Sequence, residues 1–287
     1  MRQSLIPVLT IVAAIFAIWY AAAVWLNAPW ARDVAARNDQ SLSVTELVAA
    51  TWSQEKPKLP APHQVAVELY DTVIDKKVTS KRSLVYHSGI TLSATLLGFA
   101  LGTALGFALA IGIVYNRVMD KSVMPWVIAS QTVPILAIAP MIIVVLNAMG
   151  LSGLLPKAMI SMYLSFFPVV VGMVKGLRSP DAMQLDQMRT WNAGAAQEFL
   201  KLRLPSSMPY LFTSMKIAMA ASLVGAIVGE LPTGAVAGLG ARLLAGSYYG
   251  QTIQIWSALI MAAVLAAVMV GTIGAVQRLV LKRMGMA

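Results

Sequence analysis

The sequence predicts an all-α integral membrane protein of about six transmembrane helices. Of its 287 residues, 58% are hydrophobic and only 12% charged, and the mean hydropathy is +0.73, which is more apolar than one soluble core of this size needs. Apolar stretches fall at about 5–26, 84–114, 123–149, 154–174, 211–229 and 253–276. Each is long enough, at about 1.5 Å per residue, to cross a hydrocarbon layer roughly 30 Å thick. None shows the two-residue alternation of a membrane barrel, and backbone groups in lipid must be satisfied within their own segment, so the spans are helices.

The first run has 22 residues, longer than the apolar core of a secretory signal, with only Arg2 before it and Trp19, Tyr20 and Trp25 toward its far end. It reads as a retained anchor, the alternative being cleavage after the run Ala21 to Ala23. Six spans put both termini on one side, together with the connections 115–122 and 175–210. These short segments hold eleven basic and four acidic residues. The long connection 27–83, with eight basic and seven acidic residues, reads weakly by the positive-inside rule. The termini and 175–210 are therefore expected in the cytoplasm, and 27–83 outside.

Within the outer connection, 44–52 has the makings of a short helix, and a second follows Pro60 and Pro62 with Val65, Leu69, Thr72 and Val73 at helical spacing. Both are expected to lie at the membrane interface. In the second span Gly98, Gly102 and Gly106 recur every four residues on one helical face. They form either a seam between moving helices or subunits, or ordinary intrachain packing. Ser88, Thr91, Ser93 and Thr95 can bond their own helix backbone.

The third span carries Gln131 and Thr132 next to Pro134, with Pro140 further on. Each proline removes an intrahelical bond, so this helix should bend or break. Irregular backbone at membrane depth is tolerated where it is covered by protein or lines a wet cavity, which makes Gln131 and Thr132 pathway candidates. Glu230 closes the fifth span and is the only carboxylate after Glu198. Placed before Leu231 and Pro232 at the outer boundary, it can be wet there; its functional readings are an internal partner, an external docking contact or a gate, and the alternative is an incidental boundary charge.

Residues 181–204 lie on the basic side. Asp181, Leu185, Met188 and Trp191 or Asn192 repeat at helical spacing, then Phe199, Leu202 and Arg203 repeat again. Two short helices with a turn at 192–194 fit this pattern, because Asn192 and Gly194 tolerate left-handed backbone. Pro205 and Pro209 restrict how the second helix meets the next span. Phe199 and Leu202 are then offered to a groove on a partner, ringed by basic residues.

Several activities are excluded or disfavoured. The chain has no cysteine, which removes disulfides and thiolate chemistry. His63 and His87 stand 24 positions apart with no metal-ligand spacing, so no metal site is expected. The net charge of +10 is scattered over membrane ends, which suits anionic lipid rather than nucleic acid. No clustered acid, base and nucleophile suggest a membrane enzyme. A phosphate-binding G-x-x-x-x-G-K-[ST] loop is missing too, so this chain alone should not hydrolyse ATP.

The stretch "DQMRTWNAGAAQEFLKLRLPSSMP" resembles the cytoplasmic loop of the permease subunits of binding-protein-dependent ATP-driven importers. In that family the loop reads Glu-Ala-Ala, three residues, Gly, then a short helix ending in Leu-Pro. Asp186, Gln187 and Met188 stand at the Glu-Ala-Ala positions, Asn192 at the Gly, and Leu204 and Pro205 at the Leu-Pro. "LPAPHQV", "PILAIAP" and "GELPTGAVAGLG" extend the likeness to the nitrate, sulfonate and taurine branch, which also includes pyrimidine-precursor and riboflavin-like transporters, over about 59–287.

The resemblance implies the type I permease fold. With the apolar spans it divides the chain into a first transmembrane helix in 1–29, an outer connection in 30–83 with interfacial helices, and a five-helix core in 84–287 that includes the coupling loop 181–209 with its paired short helices. It also implies a second permease copy, two cytoplasmic ATPase subunits that carry ATP and Mg2+, an external solute-binding protein, and residence in a bacterial inner membrane. Asp186, Gln187, Met188, Trp191, Asn192, Phe199, Leu202, Arg203, Leu204 and Pro205 become coupling residues, and Gln131, Thr132, Pro134, Pro140 and Glu230 pathway or gate residues. No cofactor is expected on this chain. An ATP-independent channel or secondary carrier is the alternative, since either also uses a broken helix.

Overall fold

The computed structural model describes residues 2–39, 41–232, 235 and 237–286, with side chains from Ile6 onward. The Arg2 side chain counted in the charge balance, and Thr233, Gly234 and Val236 of the loop signature, lie outside the described residues. Among the described residues all regular structure is helical. Five helices are long and apolar enough to span a membrane, or six if one bent pair counts as a single span. The chain divides into two compact units, Met1–Ser88 with Ala241–Ala262, and Gly89–Gly240 with Ala263–Ala287.

In the first unit, α1 (Arg2–Arg37) runs well past the 1–29 expected of it. Its buried Asn27 acts as a peg for the following connection. The amide donates to the Leu59 carbonyl at 2.8 Å, and Oδ1 accepts from the backbone N–H of Lys58 at 2.8 Å. Gln54 donates to the Asn27 carbonyl at 3.2 Å. These bonds satisfy a buried amide and fix a segment that has few apolar residues of its own. The two short helices form where the spacing placed them. In α2 (Val44–Trp52), Ser43 and Glu46 make a reciprocal capping box, and α3 (Pro62–Tyr70) starts on a proline, where the missing N–H costs nothing. Trp19 packs on Trp256 with ring centroids 5.0 Å apart and donates to the Pro60 carbonyl at 2.9 Å.

The second unit is built on α4 (Leu84–Tyr115), from Gly89 onward, with α7 (Leu154–Leu177) and α10 (Leu204–Glu230). The glycine face of α4 lies against α7 of the same chain. A Cβ on Gly98 would strike Ser161, and one on Gly106 would lie 2.8 Å from the Phe166 carbonyl. Ser161 donates to the Ser222 carbonyl at 2.8 Å, and Ser222 to the Thr95 carbonyl at 2.8 Å, so hydroxyls stitch α7, α10 and α4 where small residues bring their backbones close. At Gly102 a Cβ would run into the Ser165 side chain, with Met162 O at 3.0 Å and Phe166 N at 3.1 Å behind it. Gly102→Ala is therefore expected to destabilise the detergent-purified chain by about 1–3 kcal/mol. Gly271→Ala, where nothing stands within 4 Å, should leave the melting temperature unchanged or slightly raised. Equal melting temperatures for the two variants would overturn the close approach.

Between α4 and α7 lie α5 (Arg117–Ser130) and α6 (Ile135–Ala148), which meet at 101°. The single third span expected at 123–149 is thus a broken pair. The break falls at 131–134, and Pro134 becomes the N-cap residue of α6, whereas Pro140 is carried inside α6 without interrupting it.

Candidate translocation and coupling sites

Glu230, whose boundary position allowed it to be wet, is fully buried at the end of α10. The Thr91 hydroxyl donates to its carboxylate, with oxygens at 2.9 and 3.1 Å, and the Gly240 N–H donates to Oε2 at 2.7 Å. Thr91 Oγ1 in turn accepts the Leu239 N–H at 2.9 Å. The carboxylate and the hydroxyl therefore take the first two N–H groups of α11 (Leu239–Tyr249), groups that a helix start leaves orphaned and that favour an anion. Gly238, at φ 128°, lies so close that any side chain would collide with the carboxylate. Of the hydroxyls assigned to their own helix, Ser93 and Thr95 do bond backward, to Ile90 and Thr91. Thr91 also reaches a residue 139 positions away, a role that no local pattern around it reveals.

At the break, the carbonyls that lose helical partners are taken by hydroxyls. Ser130 donates to Val127 O at 2.7 Å and Thr132 to Ala129 O at 2.8 Å, while Tyr163 donates to Ser130 O. Gln131 and Thr132 are exposed, and no described hydrogen bond joins either to another span. Tyr163 was missed because a tyrosine in an apolar run looks like a packing residue.

On the basic side, α8 (Ala182–Thr190) begins at Asp181, whose carboxylate accepts the Gln184 N–H at 2.8 Å. Its end is a Schellman motif. The Ala193 N–H bonds Met188 O at 3.0 Å, the Asn192 N–H bonds Arg189 O at 2.8 Å, and Asn192 has φ 53°. A new helix starts with α9 (Ala195–Glu198) and passes through a wide π-type turn at Phe199–Arg203 into α10. The second element is thus not a separate short helix closed by Pro205 and Pro209. The wide turn stands directly before Pro205, where a proline ring otherwise clashes with the preceding turn, and Pro209 is accommodated inside α10.

The same geometry places the residues expected to couple. Phe199 is half-buried against Tyr115, ring centroids 6.1 Å apart, and belongs to the core with Met173 and Val174. Leu202 is half-buried as well. Arg203 turns inward, donating to Glu198 at 2.6 Å and to Leu177 O, the last carbonyl of α7, at 2.8 Å. Outward-facing positions are Met183, Gln187, Trp191 at 67% exposure, and Leu200. Asp186 is exposed and pairs with Arg189 at 2.9 Å, a surface contact worth well under about 1 kcal/mol. Met188 is buried, and Leu204 and Pro205 are half-buried.

Long apolar helices, a broken span and an amphipathic connection between two spans define a multi-pass membrane transport protein. The chain belongs to the family described as the binding-protein-dependent transport system inner membrane component, whose model matches residues 102–286. It is similar to a probable ABC transporter permease protein of Haemophilus influenzae, 27% identical over 76% of this chain and 84% of the relative. It is 32% identical to the formylaminopyrimidine transport permease protein of Halalkalibacterium halodurans, over 63% of this chain and 68% of that one. With the riboflavin transport system permease protein of Chloroflexus aurantiacus the identity is 33%, over 64% and 65%. The protein is thus a non-catalytic transmembrane permease subunit of an ABC-type importer for a small solute, in the branch the loop motifs resembled. The channel or secondary-carrier alternative falls with that membership. Family membership implies ATPase and solute-binding partners.

Proposed function

We propose that residues 181–205 receive the stroke of the ATPase subunits, and that two copies of this chain form the membrane core of the importer, with two ATPase subunits in the cytoplasm and a solute-binding protein outside. The observation that carries this reading is continuity. The exposed surface of α8 and its turn is followed by a helix that runs unbroken from Ala195 to Glu230. That is roughly 50 Å of rigid rod. Movement gripped at 183–197 would be delivered to the far end of α10, where Glu230 holds the start of α11.

In this mechanism ATP draws the two ATPase subunits together, α8 and the start of the rod follow, and the helices part outward to admit solute from the docked binding protein. Hydrolysis resets the path inward. Gln131 and Thr132, exposed at the break made by Pro134, line the route together with α6 and its Pro140. Glu230 acts as the latch that keeps the outer loop in register. Residues 30–83 form the external connection, both termini face the cytoplasm, and the membrane is a bacterial inner membrane, in keeping with the basic short loops. The solute is a small anion or a nitrogen-bearing organic compound, the latter in line with the names of the formylaminopyrimidine and riboflavin relatives.

Single cysteines test orientation and docking together, since the chain has none of its own. Ser53 and Ala196 are both exposed. An impermeant thiol reagent applied to intact spheroplasts should label Ser53→Cys and not Ala196→Cys. In inside-out vesicles Ala196→Cys should label, and should be protected when the ATPase subunits are bound. Labelling of Ala196→Cys from outside, or equal labelling with and without the ATPase, would contradict the reading.

A further inference from the structure

Lys157 lies in the first turn of α7, inside the apolar run 154–174, and is only 8% exposed. Among the described residues its ammonium forms no ion pair and no side-chain hydrogen bond. Its stem is covered, while the ammonium itself is not fully enclosed. Glu230 is near enough to act on it electrostatically, but the Glu230 oxygens already accept from Thr91 and Gly240.

The same lysine lines a cavity of about 530 Å³. Two further donors line it, the Asn147 amide and the Ser152 hydroxyl, and neither has a described hydrogen bond. The start of α7 forms part of the wall as well. Its N-cap residue is Gly153, at φ 77°, which offers no side-chain cap to the N–H groups that follow, so the positive end of a 24-residue helix faces the same space. The remaining wall includes Ile90 and Ala237, and Ser93 has already given its proton to the Ile90 carbonyl. Lys157 is the one charged side chain among the lining residues, and the Asn147 amide and the Ser152 hydroxyl can each turn a donor into the cavity.

We propose that the first turn of α7, with Lys157, Asn147 and Ser152, binds an oxyanionic group, a carboxylate, sulfonate or nitrate, of the transported solute. The inference rests on the reading of 84–287 as the transport core. An uncapped helix start beside an ammonium that opens on the same cavity is the arrangement that stabilises an anion, and a neutral solute would not balance that charge. The volume exceeds that of the oxyanion alone, so it admits a small organic remainder against Ile90 and Ala237. A lipid phosphate carries the same chemistry, and the test separates the two sources.

The full-length chain with Ala237→Cys, placed in nanodiscs of phosphatidylcholine alone, reports occupancy through the rate of its reaction with N-ethylmaleimide. Methanesulfonate at constant ionic strength should slow that reaction by about threefold or more at saturation, and its neutral analogue dimethyl sulfone should not. Adding Lys157→Gln should abolish the protection, while Lys157→Arg, which keeps the charge and guards against a folding defect, should retain it. Equal slowing by both compounds, slowing undiminished in Lys157→Gln, or none with methanesulfonate would overturn the site. Lysine-dependent protection that appears only when phosphatidylglycerol is added would assign the cavity to lipid headgroups and overturn its place on the solute route. ATP-dependent uptake by the wild-type chain with its partners tests the transport reading separately: uptake without protection discards only the anion site.

Discussion

Glu230→Leu is expected to lower the melting temperature of the purified chain by several degrees and to abolish ATP-dependent uptake. The leucine would remove the acceptor that the Thr91 hydroxyl and the Gly240 N–H now share, and the Gly240 N–H is buried at the start of α11. A buried donor without an acceptor costs about 1–3 kcal/mol, and for a chain of this size each kcal/mol moves the midpoint by about 2–4 °C. Glu230→Gln keeps one acceptor oxygen and turns an amide toward the second donor, so it should recover part of the stability. Thr91→Val removes the other end of the bond, and a double-mutant cycle between Thr91→Val and Glu230→Gln should give a coupling energy of about 0.5–3 kcal/mol. Function and stability separate at low temperature, where Glu230→Gln remains folded. Loss of uptake there marks a latch, whereas normal uptake leaves only a structural bond. A Glu230→Leu chain that melts like the wild type would contradict the buried network altogether.

The spans were legible because hydropathy is a property of consecutive residues, and the break at 131–134 because proline acts on its own helix. Asn192 was legible for the same reason: few residues other than glycine adopt left-handed backbone, and the residues around it end one helix and start another. What failed was anything set by a partner far away in the chain. Glu230 could be wet at its place beside Leu231 and Pro232, since nothing near it reveals Thr91 on another helix. The spacing of Phe199 is amphipathic, and it did not reveal that Tyr115 of the same chain covers part of that face. Periodicity identifies which residues share a side of a helix and says nothing about which surface covers them. Lys157 stands out as a single charge within an otherwise apolar stretch.

Asn192→Val should leave insertion and the spanning helices intact while reducing binding-protein-stimulated ATP hydrolysis by about tenfold or more. The effect follows from position. Asn192 at φ 53° is the left-handed residue of the Schellman motif, and the bonds from Asn192 to Arg189 O and from Ala193 to Met188 O depend on that conformation. A left-handed L-residue costs about 1–2 kcal/mol, and branching at Cβ raises the penalty, whereas glycine carries none. Valine would release the turn that joins α8 to the long rod, so a stroke received by α8 would bend the turn before it moved α10. Asn192→Gly should restore stimulated hydrolysis to near the wild-type level, which a mere requirement for the asparagine side chain would not allow. The comparison is made in liposomes on transporters that copurify with equal ATPase, so that poor assembly is not mistaken for poor coupling. If Asn192→Val hydrolyses ATP in response to the loaded binding protein as fast as the wild type, the 181–205 segment does not transmit the stroke. If glycine fails alongside valine, the side chain and not the turn is what the partner reads.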